Sequence, residues 1–383
     1  MIGRSGSPHH PNSPWHLKLT LTLFLREDTM ELSLGTEVRD EYLSWELGAG
    51  ARKLVEDVML TKPGENLVIT ADSASDRRVI NATATAAYAA GAIPTVVLYP
   101  LQKTAVMEPP PPVAGAIRHA DVWIEYAVAY ILHTQAYKEA LKNGARYICL
   151  TGMDAMMMVN TVERVKYDKL LSLGKLLCEI VQKANKVEVY SPAGTHLVAF
   201  NQGRRTRQSG KLADTKGEPI MLGGQISWCP MEETINGKLV FDGALWPPAE
   251  LGKLNQPVQL SIENGVVTKV EGGPEAKTFD QWLRGFNDPK MYWIAHYSLG
   301  FNPGVTRPSG RIVEDERIFG CIELGIGSQG AQIMGKTWSS ASHTDGVVLN
   351  PTILLDGVAM EKDGVYQLEP IVEACRELGA PGY

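Results

Sequence analysis

Short apolar runs alternate with helical patterns in the first half of the chain, and this alternation most constrains the fold. The runs lie at residues 66–70, 95–99, 121–125 and 146–150. Continuous apolar runs of this length are typical of strands buried on both faces, and a helix is predicted between the last two, at residues 134–143. Strand–helix alternation indicates an open parallel sheet. Residues 30–185 are therefore predicted to form an α/β domain.

The pattern changes beyond residue 185 to short strands joined by glycine-containing turns. The strands are predicted at residues 187–190, 195–200, 238–241, 258–263 and 266–270. The Asn-Gly pairs at 236–237 and 264–265 are typical of tight hairpins. Residues 186–383 are therefore predicted to form a second, α+β domain, which makes the chain an α/β protein with an open parallel N-terminal domain.

Residues 1–29 differ in composition from the rest of the chain. They are rich in Gly, Ser and Pro and contain three of the eight histidines. The apolar segment at 17–25 is followed by charged residues, whereas a signal peptide would end in a small-residue cleavage site. We expect a disordered N-terminal extension, with Met30 as the candidate natural start.

Charge and cysteine content exclude several classes of protein. The chain has 37 Lys and Arg against 43 Asp and Glu, a net charge of −6, so no basic excess favours nucleic acid or an anionic membrane surface. No run of 18 apolar residues predicts a membrane span. The five cysteines are scattered and form no CxxC pair, which indicates a reducing, cytoplasmic location.

Residues 342–346 contain a candidate metal-binding pair. In a strand, residues i and i+2 point to the same face, so His343 and Asp345 can present an imidazole and a carboxylate together. His296, at the end of an apolar segment and before a Gly/Asn/Pro loop, is the candidate third ligand. Two histidines and one carboxylate suit non-haem Fe(II), which would make residues 186–383 the metal-binding domain. The alternative is a core histidine paired with the backbone.

A glycine pattern at residues 325–330 formally matches the dinucleotide-binding motif GxGxxG. That motif requires a helix that begins at the third glycine, but residues 335–342 are rich in Ser, Thr and Gly and favour no helix. We therefore expect tight turns in a site-forming loop.

A small basic cluster precedes this region of the chain. Arg204, Arg205 and Arg207 lie within four residues of one another. The cluster either binds an anionic substrate or is a solvated turn, and the pattern alone leaves both interpretations open.

Five stretches of the second half resemble the aminopeptidase T family of metallopeptidases in order and spacing. They lie at residues 191–195, 230–233 with 237–243, 294–303, 314–325 and 343–345. The resemblance runs from about residue 36 to residue 363. The chain departs from the family because His296 stands where the peptidases have a glutamate and Glu323 where they have a histidine. No tyrosine lies between Glu323 and His343. These departures predict one metal ion instead of two.

A non-peptidase branch of this superfamily, the 2,5-dihydroxypyridine 5,6-dioxygenases of nicotinate catabolism, resembles the chain more. Like that branch, the chain has Phe-Asn-Asp-Pro at 286–289, Ile-x-His at 294–296 and a His-x-Asp motif. The resemblance implies three Fe(II) ligands, His296, His343 and Asp345, and three catalytic residues, His133, Glu233 and Glu323. His133 would be an acid/base or substrate-orienting group. The histidine that the branch has shortly before its Pro-x-Glu segment is missing here from residues 219–224.

The sequence therefore favours a non-haem Fe(II) extradiol-type dioxygenase. Its partners would be dioxygen and a hydroxylated pyridine, 2,5-dihydroxypyridine-like, or a related small aromatic. The first alternative is a metal-dependent hydrolase of the same superfamily, an aromatic amine hydrolase or an aminopeptidase, in which Mn²⁺ or Zn²⁺ lowers the pKa of a bound water. The second alternative is a non-catalytic, metal-stabilised oligomer. We expect a homo-oligomer.

Overall fold

Strands and helices alternate as predicted in the first part of the computed structural model, which describes residues 41–208, 210–330 and 335–383. The extension predicted for residues 1–29 lies outside the described residues. The helices are α1 (Ser44–Lys53), α2 (Arg77–Ala89), α3 (Pro111–Arg118), α4 (Gln135–Lys142), α5 (Ala155–Met158), α6 (Tyr167–Lys183), α7 (Pro274–Gly285), α8 (Ile312–Asp315) and α9 (Glu369–Leu378). Across the described ranges, every helix is too short or too polar to cross a membrane.

Strands account for much of the remaining chain. They are β1 (Asn66–Asp72), β2 (Ile93–Tyr99), β3 (Val122–Glu125), β4 (Arg146–Cys149), β5 (Lys186–Tyr190), β6 (His196–Phe200), β7 (Arg207–Gln208), β8 (Pro219–Met221), β9 (Gln225–Trp228), β10 (Asn236–Phe241), β11 (Ala244–Trp246), β12 (Gly252–Lys253), β13 (Val258–Glu263), β14 (Val266–Gly272), β15 (Ile294–Gly300), β16 (Cys321–Gln329), β17 (Trp338–Leu349), β18 (Thr352–Leu355), β19 (Val358–Lys362) and β20 (Val365–Tyr366).

A parallel sheet of five strands, in the order β2-β1-β3-β4-β8, forms the first layer. Its central strands β3 and β4 are buried throughout, as the apolar runs predict. Side-chain caps begin the helices between strands: Asp76 accepts a hydrogen bond from the backbone N–H of Arg78, and Thr134 from that of Tyr137. The last strand, β8, comes from the second half of the chain.

Two antiparallel sheets follow. One has eight strands in the order β14-β13-β10-β6-β5-β18-β19-β20, and the other has seven in the order β12-β11-β17-β16-β15-β9-β7. Parallel and antiparallel sheets with flanking helices confirm the predicted fold class. The division into domains at residues 185 and 186 stays a prediction.

The glycine pattern at residues 325–330 has a different structure from the one predicted. Gly325 and Gly327 lie inside β16, which pairs with β15 on one side and β17 on the other, so the prediction of tight turns was wrong. The physical reason is that hydrogen bonds to β15 and β17 hold this segment extended on both sides. The absence of a side chain at Gly325 leaves space for the histidine rings of those two strands.

Candidate metal centre

Three neighbouring strands bring the predicted ligands together. Gly325 on β16 pairs with His296 on β15 and with Asp345 on β17, and Gly327 pairs with His343. Residues directly opposite each other in an antiparallel pair point to the same face, so these side chains share one face of the seven-stranded sheet. The ligand atoms of His296, His343 and Asp345 all lie within 4.8 Å of one another.

Both histidines face the Asp345 carboxylate through their Nε2 atoms. Oδ1 of Asp345 lies 2.9 Å from Nε2 of His343 and 3.6 Å from Nε2 of His296, and the two rings stack with their centroids 5.2 Å apart. Nδ1 of His343 lies 2.8 Å from the carbonyl oxygen of Ser328. Since a carbonyl only accepts, Nδ1 carries the hydrogen, and Nε2 is the atom available to a metal.

Gly325 leaves the space in which the two rings meet. A Cβ atom at this position would lie 2.3 Å from Cε1 of His296 and 2.8 Å from Cε1 of His343. Any side chain here would displace the imidazoles. The glycine is therefore required by the histidines and not by a turn.

The electrostatics of the cluster suit a cation. Burial opposes ionisation of Asp345, but the charge and hydrogen bond of His343, the charge of His296 and a hydrogen bond from Glu323 together lower the pKa of Asp345 to about 2. Burial lowers the pKa of His296. For His343 burial acts in the same direction, but the Asp345 carboxylate dominates and raises the pKa. An ionised carboxylate thus faces two imidazole nitrogens, which is a donor set that divalent first-row metals prefer.

Glu323 on β16, which the family resemblance implies as a catalytic residue, lies against this cluster. Its Oε2 atom is 3.2 Å from Nε2 of His296 and accepts a hydrogen bond from Gln225 at 3.4 Å. Its Oε1 atom is buried and has no hydrogen-bond partner in the described parts of the chain. Burial, together with the charges of Asp345 and Glu316, raises the pKa of Glu323 well above its usual range.

The other two predicted catalytic residues lie outside the cluster. His133 is exposed in the loop before α4, in a left-handed backbone conformation (φ 72°), with its ring centroid 5.9 Å from that of Tyr137. Glu233 is exposed and forms an ion pair with Lys336 at 2.8 Å. Within the described ranges, neither residue forms a hydrogen bond, ion pair or ring contact with His296, His343 or Asp345. Their catalytic roles stay predictions.

Three further residues near the centre were not predicted from the sequence. Burial raises the pKa of Glu316, after α8, and the charge of Asp345 raises it further, while Gln225 donates a hydrogen bond to Glu316. Tyr130 approaches from the parallel sheet: burial raises its pKa, and Cys149 and Asp345 raise it further. Of these three residues, only Tyr130 could have been found from the sequence, because it follows a predicted parallel strand and loops at the carboxyl ends of such strands commonly carry functional residues.

The comparison with protein families decides the assignment. A family model described as NicX, 2,5-dihydroxypyridine 5,6-dioxygenase, matches residues 56–368. The chain belongs to the NicX family. It is therefore an enzyme of a dioxygenase family, and its resemblance to the dioxygenase branch is confirmed.

Individual relatives agree with membership of the NicX family. The chain is 25% identical over 257 residues to a 2,5-dihydroxypyridine 5,6-dioxygenase of Pseudomonas putida strain KT2440, covering 64% of this chain and 70% of that protein. A solved structure of 2,5-dihydroxypyridine dioxygenase from the same strain has a TM-score of 0.68 at 19% identity and covers 86% of this chain and 98% of its own.

A second solved structure, wild-type AmpT from Thermus thermophilus, has a TM-score of 0.62 at 13% identity. It covers 85% of this NicX-family chain and 100% of its own. At this level of identity the likeness concerns the fold alone. It confirms the predicted aminopeptidase T-like architecture.

Proposed function

We propose that the protein is an iron(II)-dependent dioxygenase that opens the ring of a hydroxylated pyridine, 2,5-dihydroxypyridine-like, or a related small aromatic. The observation that carries the proposal is the convergence of His296, His343 and Asp345 within 4.8 Å on one sheet face. Two imidazoles and one carboxylate suit non-haem Fe(II) with open positions. Membership of the NicX family supports ring cleavage as the reaction.

The residues present fit such a metal. Nε2 of His343 and of His296 both face Oδ1 of Asp345, and the hydrogen bond from His343 to Ser328 fixes the tautomer that a ligand requires. Iron(II), when bound, supplies open positions for substrate and dioxygen and the electrons for their reaction.

Proton transfer in this proposal is assigned to the chain's own carboxyl and imidazole groups. Burial and the neighbouring carboxylates of Asp345 and Glu316 raise the pKa of Glu323, which favours a protonated carboxyl beside His296. His133 is proposed as an acid/base or orienting group that reaches the substrate from the loop before α4. For Glu233 the proposed catalytic role is supported by the family resemblance alone.

Oxygen dependence tests the proposal directly. Protein loaded with Fe(II) under argon should form no product from 2,5-dihydroxypyridine. On admission of ¹⁸O₂, one O₂ should be consumed for each ring opened, with both labelled atoms in the product. Equal product formation without oxygen, supported by Mn²⁺ or Zn²⁺ and with a solvent oxygen incorporated, would refute the dioxygenase and favour the hydrolase.

A matched pair of histidine variants checks the site itself. His343→Ala should lose both iron and turnover. His119→Ala removes an exposed histidine at the end of α3 and should leave both unchanged. Iron content equal to wild type in His343→Ala would refute the assigned ligand set.

We also propose a cytoplasmic homo-oligomer. The cysteines are free in the described structure, which suits a reducing compartment. Strand β2 is at the edge of the parallel sheet, and its Ile93, Val96 and Leu98 side chains are exposed, which supports association between copies. Light scattering at several protein concentrations measures the assembly, and a monomer throughout would contradict it.

A further inference from the structure

Arg207 lies on the same face of the seven-stranded sheet as the metal centre. The pairing runs from Arg207 on β7 to Ser227, from Ser227 to Ser298, and from Ser298 to Glu323. Since directly opposed residues share a face, these four side chains form one polar row across the sheet. The two serine hydroxyls in its middle are 2.8 Å apart. The row connects a cation at one end with the metal centre at the other.

The spacing between the two ends suits a small ring. His296 is two strands from β7 and two residues along the strand from Ser298. With about 4.8 Å between strands and about 3.4 Å per residue, the Cα atoms of Arg207 and His296 are about 12 Å apart. A substituted six-membered ring, together with the two side chains that hold it, would span an interval of this length.

The charge of Arg207 has no counter-ion in the described structure. The residue is half-buried, and burial lowers the pKa of its guanidinium, while the Tyr137 phenol is the ionisable group that acts on it. Its neighbour Arg204, in contrast, forms an ion pair with Glu232 at 2.6 Å, and Arg205 is exposed to solvent. A partly buried cation without an anion is costly, so an anionic ligand would be stabilised there.

Residues of α4 and of the loop before it interact with both ends of the polar row. Tyr137 acts electrostatically on Arg207, and its ring also contacts His133. Tyr130, in the same loop, is close to Asp345. The loop and helix therefore contribute one group that acts on the arginine and another that is affected by the metal centre.

We propose that Arg207 binds a carboxylate on the ring that the metal centre opens, so that the substrate is an acidic hydroxypyridine or hydroxylated aromatic. This inference rests on the proposed function. Arginine suits the role because its planar guanidinium donates two parallel hydrogen bonds to one carboxylate. Of the two interpretations left open by the sequence, the structure favours anion binding for Arg207, whereas Arg204 is already paired and Arg205 is solvated.

The test compares two ligands and four proteins. Iron-loaded protein under argon is titrated with 2,5-dihydroxypyridine and with a dihydroxypyridine carboxylate, and oxygen uptake is then measured with each. Wild type should bind the carboxylate more tightly than the parent ring. Arg207→Gln should weaken carboxylate binding by about 10- to 100-fold and leave binding of the parent ring unchanged. Arg207→Lys should restore part of the loss, and Arg205→Gln should match wild type with both ligands.

The outcomes separate this inference from the proposed function. Equal affinity of wild type and Arg207→Gln for the carboxylate would overturn the inference. An equal loss of affinity for both ligands in Arg207→Gln would also overturn the inference, because it would indicate a structural role for Arg207. A lowered melting temperature of the variant would accompany such a role. If wild type and Arg207→Gln open the parent ring equally and bind the carboxylate equally, the proposed function stands and only this inference fails. Absence of oxygen uptake with every ligand would refute the proposed function instead.

Discussion

Replacing Gly325 with alanine should strongly weaken metal binding and preserve the fold. The new Cβ would lie 2.3 Å from Cε1 and 2.5 Å from Nδ1 of His296, and 2.8 Å from Cε1 of His343. Because carbon atoms settle at about 3.5 Å, the His296 ring would have to move by about 1 Å. Gly325 lies inside β16 without a positive φ, so the backbone itself accepts alanine.

A displacement of this size exceeds what a ligand site tolerates. Sites of this kind work within about 0.5 Å of their productive geometry, and an error of about 1 Å costs about 100-fold. We therefore expect about 100-fold weaker Fe(II) binding for Gly325→Ala in an anaerobic titration, with a comparable loss of oxygen uptake at limiting iron. The melting temperature of the metal-free variant should remain near that of wild type.

A second glycine provides the control. Gly115 lies on α3 with no atom within 4 Å of its Cβ position, so Gly115→Ala makes the same chemical change without contact. It should bind iron like wild type. Wild-type affinity in Gly325→Ala would show that the rings do not need this space, and unfolding of its metal-free form would show that the glycine serves the sheet instead.

Three further substitutions test ionisable residues outside the metal-binding cluster. Burial raises the pKa of Glu125 from 4.5 to about 7, so between these pH values the folded protein retains a proton that the unfolded chain releases. The free energy of unfolding should therefore fall by about 3 kcal/mol between pH 4.5 and 7. Glu125→Gln should remove this pH dependence in urea titrations. Burial also raises the pKa of Glu361, whose carboxyl oxygens have no hydrogen-bond partner among described residues. Glu361→Gln should therefore raise the free energy of unfolding by about 1 to 3 kcal/mol at pH 8 and by less at pH 4. Equal stability of the variant and wild type at pH 8 would contradict this prediction. His133→Ala should lower kcat by about 100-fold with unchanged iron content, whereas unchanged kinetics would make His133 a structural residue.

The part of the site that the sequence predicts is the part encoded locally. His343 and Asp345 share a face because they are two residues apart in a strand, and strand alternation is a local property. The strands of the parallel sheet were predictable for a similar reason, because burial on both faces leaves a continuous apolar run. His296 required more than local pattern, since it reaches the pair across β16.

The rest depends on register between distant strands. Gly325 is constrained by two rings on neighbouring strands, and in the sequence it belongs to a pattern that is also found in nucleotide-binding loops. Arg207 meets the same face only through the pairing of β7 with β9. For the acidic pair at 232–233, a short 3₁₀ turn buries Glu232 and exposes Glu233, and no periodicity in the sequence distinguishes them.

The position of β8 in the parallel sheet has a consequence for synthesis. Ile220 pairs with Ile148, and β5 and β6, which belong to another sheet, lie between them in the chain. Residues of β1 to β4 therefore emerge from the ribosome well before β8, the strand that pairs with the edge of β4. Until residue 221 emerges, the nascent chain carries an apolar strand with a free hydrogen-bonding edge, which is the kind of surface that aggregates or recruits chaperones. Slow codons or truncations between residues 150 and 219 should therefore be the ones that the cell tolerates least.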